Sequence, residues 1–203
     1  MSLPQLSAPD PALPGWLVPG AAPAEDGDLF EATLLFSDMR GSSDLVTRMA
    51  PRDFFRLLNG SLSAQADCIR GLGGEVVKYT GDGVMAVFRG AGRASLAIRC
   101  ALALARGCGA QDGVPFGIGL AEGPVLAGFV GPDGPAERRH YDVIGAAVHL
   151  AARLCAMAGP GEVLATCDVG NAAPDPAMPR RRRHVSVPGF AEPIACVAFA
   201  RDA

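Results

Sequence analysis

Residues 73–88, with the sequence GGEVVKYTGDGVMAVF, constrain the fold more than any other stretch of the chain. Two apolar runs, residues 75–79 and 84–88, flank the short segment TGDG. An Asp-Gly pair between such runs is a strong signal for a β-hairpin. Asp82 is therefore predicted at the tip of a tight turn, where its carboxylate serves either as a turn former or as a ligand for a bound group.

The composition limits the classes of protein to consider. The chain has 203 residues, 49% of them apolar and 19% charged, which is enough for one core and one domain. A net charge of −3 favours neither nucleic acid nor an anionic membrane as a partner. Six scattered cysteines without a C-x-x-C pair indicate reduced thiols in a cytoplasmic protein. The sequence contains neither a signal peptide nor a membrane segment of roughly 18 apolar residues.

The order of the predicted elements indicates the fold class. Residues 1–28 are predicted as a disordered or loosely docked arm before a domain over residues 29–203. The apolar run FEATLLF predicts a central strand that delivers Asp38 to a surface. The predicted order is β-α-α-β-β-α-β-β-α-β, in which Glu122 and Gly123 separate two strands. We therefore expect an α+β sandwich with helices covering one face of a mostly antiparallel sheet.

The C-terminal part of the chain has less regular signals. Residues 146–157 predict a helix, and three short closing strands are predicted at residues 163–165, 185–187 and 194–199.

Four consecutive segments resemble the signature blocks of the class III nucleotidyl cyclase catalytic domain. They are FSDMRGSSD (36–44), KYTGDGVMAVF (78–88), GIGLAEGPVLAGFVG (117–131) and YDVIGAAVHLAARL (141–154). A fifth segment, PGFAEPIACVAF (188–199), resembles the last hairpin of that family. The resemblance covers roughly residues 30–200 and implies the family's ferredoxin-like-derived sandwich and a nucleotide cyclase activity.

Two aspartates suit the chemistry of cyclisation. The 3′ hydroxyl of the substrate attacks its own α-phosphate, so the difficulty lies in charge and positioning. Two carboxylates at the ends of neighbouring strands can hold two Mg²⁺ or Mn²⁺ ions, and Asp38 and Asp82 are the candidates. The resemblance implies the same role for both, with the backbone carbonyl of Met39 as an additional ligand.

The base-reading residues are predicted at Lys78 and Asp142. A site for adenine needs a donor that faces a ring nitrogen and a carboxylate that faces the amino group. A lysine and an aspartate at these positions are similar to the adenylate rather than the guanylate cyclases, so the resemblance implies ATP as the substrate. A solvated strand lysine and a strand-edge acid are the alternatives without a functional role.

His149 and Arg153 are four residues apart, which places them on one face of the last long helix. The resemblance implies that Arg153 clamps the α-phosphate. His149 stands where the family usually has asparagine, and it either orients the ribose or is a half-buried helix histidine without a catalytic part.

Two further positions depart from the family. Pro188 replaces a basic residue that grips the terminal phosphates, and Ala146 stands where many relatives have aspartate. The arginine run at residues 180–183 either supplies replacement charge or forms a solvated loop. These departures leave two alternatives to an adenylate cyclase: a regulatory nucleotide-binding domain with weak catalysis, or a cyclase that uses another nucleoside triphosphate.

The resemblance also implies a homodimer with shared active sites. In the family the metal-binding aspartates come from one subunit, while Lys78, Asp142 and Arg153 reach in from the other. Arg138 and Arg139 lie in the loop that extends over the partner in that family. Because this chain carries both sets of residues, two copies would build two equivalent sites.

Overall fold

The computed structural model describes residues 27–107, 113–132, 140–175 and 178–200. Its strands are β1 (Asp28–Met39), β2 (Gly74–Thr80), β3 (Gly83–Phe88), β4 (Phe116–Val130), β5 (His140–Ile144), β6 (Val163–Thr166), β7 (Arg181–Val185) and β8 (Ile194–Phe199). Its helices are α1 (Ser42–Arg48), α2 (Pro51–Gly71), α3 (Arg93–Ala105), α4 (Ala146–Met157) and α5 (Cys167–Asn171).

Strand β1 lies near the centre of the sheet. The strand order is β2-β3-β1-β4-β6-β8-β7, and β5 pairs with β4 outside this path. β1 pairs antiparallel with β3 on one side and, along its whole length, with β4 on the other. Among the strands described, β4 and β6 form the one parallel pair. This mostly antiparallel sheet with its helices confirms the predicted α+β class.

The pleat of β1 separates two apolar cores. Leu35 faces the core that α2, α3 and α5 cover. This core also contains Ile69 and Leu104. Leu34 faces the opposite core, which Ala151 of α4 helps to close. The expectation of helices on one face therefore holds for α2, α3 and α5 and is wrong for α4. Successive residues of β1 are apolar on both faces, so both faces need cover.

The predicted break at Glu122 and Gly123 is also wrong, because β4 runs continuously from Phe116 to Val130. The carboxylate of Glu122 accepts hydrogen bonds from the Thr33 hydroxyl at 2.6 Å and from Arg93 Nη2 at 2.9 Å. Gly123 pairs with Ala32 of β1. These tertiary contacts outweigh the local preference of a Glu-Gly-Pro sequence for a turn.

The C-terminal part differs from the prediction at two elements. The strand expected at residues 185–187 is β7, Arg181–Val185, so most of the arginine run lies in an edge strand rather than in a loop. Charged side chains on an edge strand oppose pairing with another chain. Helix α5, which follows β6 directly, was not predicted.

Several predictions concern residues outside the described ranges. The predicted arm, residues 1–28, lies outside them except for Gly27 and Asp28, and Asp28 is the first residue of β1. Arg138, Arg139 and Cys108 also lie outside. The described cysteines are free thiols, as predicted. Within the described ranges, no helix has the length and apolar character needed to span a bilayer.

Candidate active site

Asp38 lies at the carboxyl end of the buried run of β1. Leu34 and Leu35 are completely buried, whereas the side chain of Asp38 is 41% exposed. The strand is apolar where it crosses the middle of the sheet and becomes polar where it leaves the core. The prediction that this strand brings Asp38 to a surface is therefore confirmed.

Asp82 lies in the two-residue turn between β2 and β3, as predicted, with Thr80 and Gly83 paired across the turn. Strand β3 approaches β1 closely beside this turn. A Cβ atom on Gly83 would lie 2.0 Å from the carbonyl oxygen of Ser37, so no larger residue fits. This close approach brings Asp82 alongside Asp38.

The register of β1 and β3 and the close approach at Gly83 place the carboxyl groups of Asp38 and Asp82 near enough to influence each other. Burial raises the pKa of Asp38 above its usual value, and the negative charge of Asp82 raises it further. The guanidinium of Arg40 binds the Asp38 carboxylate and opposes this shift. The fold therefore holds two acidic groups together in spite of their mutual repulsion.

A buried polar network lies behind the two aspartates. The Ser37 hydroxyl donates to Gln65 Oε1 of α2 at 2.6 Å and accepts from the backbone N–H of Val84 at 3.2 Å. Gln65 Nε2 donates in turn to the Ser61 hydroxyl at 3.5 Å. Ser37, Ser61 and Gln65 are at most 1% exposed. The network joins the end of β1 and the start of β3 to α2, beside both carboxylates.

Lys78 of β2 and Asp142 of β5 are also brought together. Lys78 Nζ donates to Asp142 Oδ2 at 2.6 Å, and Asp142 Oδ1 accepts from the backbone N–H of Val143 at 2.8 Å. His140 Nε2 lies 3.6 Å from Asp142 Oδ2. The Asp142 side chain is 12% exposed and that of Lys78 is 40% exposed. The two predicted base-reading residues therefore form an ion pair within one chain.

The outer face of α4 carries the other two predicted residues. His149 and Arg153 are both exposed, one turn apart, while Ala147, Ala151 and Leu154 of the same helix are buried. The suggestion that His149 is half-buried is therefore wrong. Both side chains are available to a molecule that docks on this face, and their catalytic roles remain predictions.

The two departures from the family occupy exposed positions. Ala146 is the exposed first residue of α4, and Pro188 is exposed in the turn between β7 and β8. Within the arginine run, Arg183 pairs with Glu162 at 2.7 Å, and Arg180 donates to the Gly170 carbonyl at 3.3 Å. At least two of these arginines therefore have partners within the fold.

The donor set around Asp38 and Asp82 fits a hard divalent cation. Two adjacent carboxylates offer oxygen ligands, and a cation between them would relieve their repulsion. Across the part of the chain that the structure describes, no group of three or more His, Cys, Asp or Glu side chains could hold a metal ion. A site with two carboxylates leaves room for substrate phosphates and water, as Mg²⁺ prefers.

Sequence reasoning missed Arg40 and His140. Arg40 follows Asp38 by two residues, and His140 precedes Asp142 by two. Side chains two residues apart along an extended chain point to the same side, so this spacing was an available signal. The Ser37 and Gln65 contact gave no such signal, because 28 residues separate its partners.

This fold is that of a nucleotide cyclase catalytic domain. The profile of the Adenylate and Guanylate cyclase catalytic domain family matches residues 27–194. The chain belongs to this family, the class III cyclases, as the resemblance implied.

Two solved structures show the same fold. The adenylyl cyclase CyaB from P. aeruginosa is 25% identical with a TM-score of 0.74, and the match covers 87% of this chain and 96% of that one. The guanylyl cyclase Cya2 is 27% identical with a TM-score of 0.70, and the match covers 85% and 93%.

Two of the curated relatives are from Mycobacterium tuberculosis. An uncharacterised protein of Mycobacterium tuberculosis is 35% identical over 177 residues, which are 83% of this chain and 32% of that protein. A protein of the same species named adenylate cyclase is 32% identical over 172 residues, which are 78% and 37%. The chain therefore spans about a third of the length of these relatives.

Proposed function

We propose that this chain is an adenylate cyclase that converts ATP to 3′,5′-cyclic AMP and pyrophosphate. The observation that carries the proposal is the placement of Asp38 and Asp82 side by side at adjoining strand ends, where the register of β1 and β3 and the close approach of Gly83 to Ser37 bring them together. Close carboxylates that a fold maintains against repulsion are typical of a site for divalent cations. The relative named adenylate cyclase supports the choice of reaction.

Asp38, Asp82 and the backbone carbonyl of Met39 would hold two Mg²⁺ or Mn²⁺ ions. When bound, such ions would favour ionisation of the 3′ hydroxyl and neutralise charge on the phosphates. Arg153 would bind the α-phosphate oxygens in a two-point contact as negative charge develops on them. His149 would donate a hydrogen bond to the ribose and orient it.

Lys78 and Asp142 would read the purine. The Asp142 carboxylate would accept a hydrogen bond from the amino group of adenine, and Lys78 would donate one to a ring nitrogen. Their own ion pair at 2.6 Å occupies these groups in the absence of a base. Adenine would therefore insert between the two side chains and exchange one contact for two.

A homodimer would complete the site. Arg153 and His149 are exposed on α4, where a second copy can dock. Large apolar side chains are also exposed in the sheet, including Leu29 at 74%, Ile144 at 48% and Phe129 at 43%. Exposed apolar groups of this kind are typical of an interface. In the proposed dimer, Asp38 and Asp82 of one subunit face Lys78, Asp142 and Arg153 of the other.

The test is a turnover assay with each of the four nucleoside triphosphates, in Mg²⁺ and in Mn²⁺, over a range of protein concentrations. We expect cyclic AMP from ATP at a rate at least about tenfold above the other nucleotides. The rate per chain should rise with protein concentration, because only the dimer has complete sites. Preferential turnover of GTP would contradict the adenylate assignment.

A second candidate function is a regulatory nucleotide-binding domain with little catalysis. Three observations favour it: His149 stands where the family has asparagine, and Pro188 and Ala146 are exposed without charge where relatives have charged residues. In the same assay this function predicts ATP binding without product in either metal.

A further inference from the structure

Arg40 connects three separate parts of the candidate site. Its Nη1 donates to the Asp38 carboxylate, its Nη2 to the carbonyl of Cys155, and its Nε to the carbonyl of Ala158 at 3.1 Å. Cys155 lies in the last turn of α4, and Ala158 caps this helix. The side chain is 20% exposed. Its guanidinium therefore bridges the end of β1 and the end of α4.

The fold has a specific space for this guanidinium. Gly117 of β4 is the register partner of Asp38, and a Cβ atom there would lie 2.2 Å from Arg40 Nη2. Any larger residue would push the guanidinium away from its partners. Gly117 thus leaves room for the guanidinium, and three hydrogen bonds hold it in place.

The two carbonyl contacts anchor Arg40 independently of Asp38. The last carbonyls of a helix lack partners within the helix, and the negative end of the helix dipole attracts a cation. The guanidinium will therefore remain close to Asp38 when the carboxylate binds something else. A divalent cation that approaches Asp38 must compete with a positive charge that is already there.

We propose that Arg40 is a positioning residue whose guanidinium stays beside the Asp38 carboxylate. Its positive charge there weakens the binding of divalent cations by this carboxylate. In the absence of a metal ion, Arg40 offsets the repulsion between Asp38 and Asp82. Binding of a divalent cation by the Asp38 carboxylate would require this carboxylate to turn from the guanidinium, which would keep its contacts with α4. The inference rests on the metal role of Asp38 and Asp82 in the proposed function.

The experiment measures Mn²⁺ binding to the nucleotide-free protein by electron paramagnetic resonance of the free ion. Arg40→Met and Arg40→Gln remove the charge and keep a side chain of similar length. We expect both to bind Mn²⁺ about three- to tenfold more tightly than the original chain. Their melting temperatures should fall by a few degrees, because α4 loses its C-terminal partner. Damage to the fold alone would weaken Mn²⁺ binding, so tighter binding is specific to the proposed role.

Two controls separate the possible failures. Arg48→Met removes an exposed positive charge from α1, whose side chain is 78% exposed, and should leave Mn²⁺ affinity unchanged. Asp38→Asn should abolish the Mn²⁺ binding measured in the original chain. Folded Arg40 variants with unchanged or weaker affinity would overturn the role of Arg40 alone. Mn²⁺ binding that survives Asp38→Asn would overturn the metal assignment, and the inference with it.

Discussion

The candidate site contains two pairs of charged residues, one with like charges and one with opposite charges. Asp38 and Asp82 carry like charges and lie near each other at adjoining strand ends, so their proximity is unfavourable without a cation. Lys78 and Asp142 carry opposite charges and bind each other at 2.6 Å. The backbone imposes the first pair through the close approach of Gly83 to Ser37. Side-chain attraction supports the second pair.

This difference predicts opposite effects of substitution. Removing a charge from the pair of aspartates relieves a repulsion, so it should damage activity without damaging the fold. Removing Lys78 from the second pair leaves the largely buried Asp142 without its ion, so it should damage both activity and stability. Measuring activity and stability together therefore distinguishes the pair of aspartates, which needs a ligand, from the ion pair, which does not.

The largest expected effect is the loss of turnover in Asp82→Asn. With one carboxylate missing, the site would bind the metal ions poorly, and turnover of ATP should fall at least about a hundredfold. The free energy of unfolding should stay the same or rise slightly, because the repulsion on Asp38 disappears. Steady-state production of cyclic AMP and urea unfolding of the same preparation measure the two quantities.

Mixing experiments test whether the dimer shares its sites. Arg153→Ala alone should also lose activity, yet an equal mixture with Asp82→Asn should recover about a quarter of the original activity, because half of the chains form mixed dimers with one intact site. Mixing Asp38→Asn with Asp82→Asn should recover nothing, since both changes affect the same half of the site. Equal activity in the two mixtures would contradict a shared site.

An effect of intermediate size is expected for Lys78→Met. The variant should lose about tenfold in kcat/KM for ATP and discriminate less between ATP and GTP, because one base contact is gone. It should also lose about 1–2 kcal/mol of stability, since the Asp142 side chain is only 12% exposed and loses its main cation. Competition between the two nucleotides and urea unfolding provide the measurements.

Asp142→Asn is the matched variant for this pair. It should change nucleotide preference in the same direction but cost less stability, because Lys78 is 40% exposed and can be solvated when it loses its partner. If Lys78→Met kept its discrimination and its stability, the pair would be a surface ion pair without a role in base recognition.

Local signals in the sequence predicted most of the elements at this site. Helix α4 and strand β8 begin and end at the predicted residues, and the Asp-Gly turn lies where the hairpin pattern placed it. Each of these signals depends on neighbours along the chain, through apolar periodicity or turn chemistry. The residues of the candidate site could therefore be located within their elements before the fold was known.

The contacts between distant residues could not be predicted in this way. Arg40 binds carbonyls 115 and 118 residues away, and Glu122 stays in a strand because of side chains from β1 and α3. Lys78 and Asp142 were expected to share a base but not to bind each other across 64 residues. These contacts depend on tertiary packing, for which a single sequence carries no direct signal.

The smallest expected effect concerns the support behind the aspartates. Gln65→Met keeps the size of a fully buried side chain but removes the acceptor of the Ser37 hydroxyl. Urea unfolding should show a loss of about 1–2 kcal/mol, and kcat should fall a few-fold with little change in KM, because the end of β1 loses part of its attachment beside Asp38. Ser37→Ala combined with Gln65→Met should cost less than the sum of the two single changes, since either change alone already breaks the hydrogen bond that Ser37 and Gln65 share. Additive costs would show that the hydrogen bond contributes nothing, and that the approach of Gly83 to Ser37 alone holds the two carboxylates together.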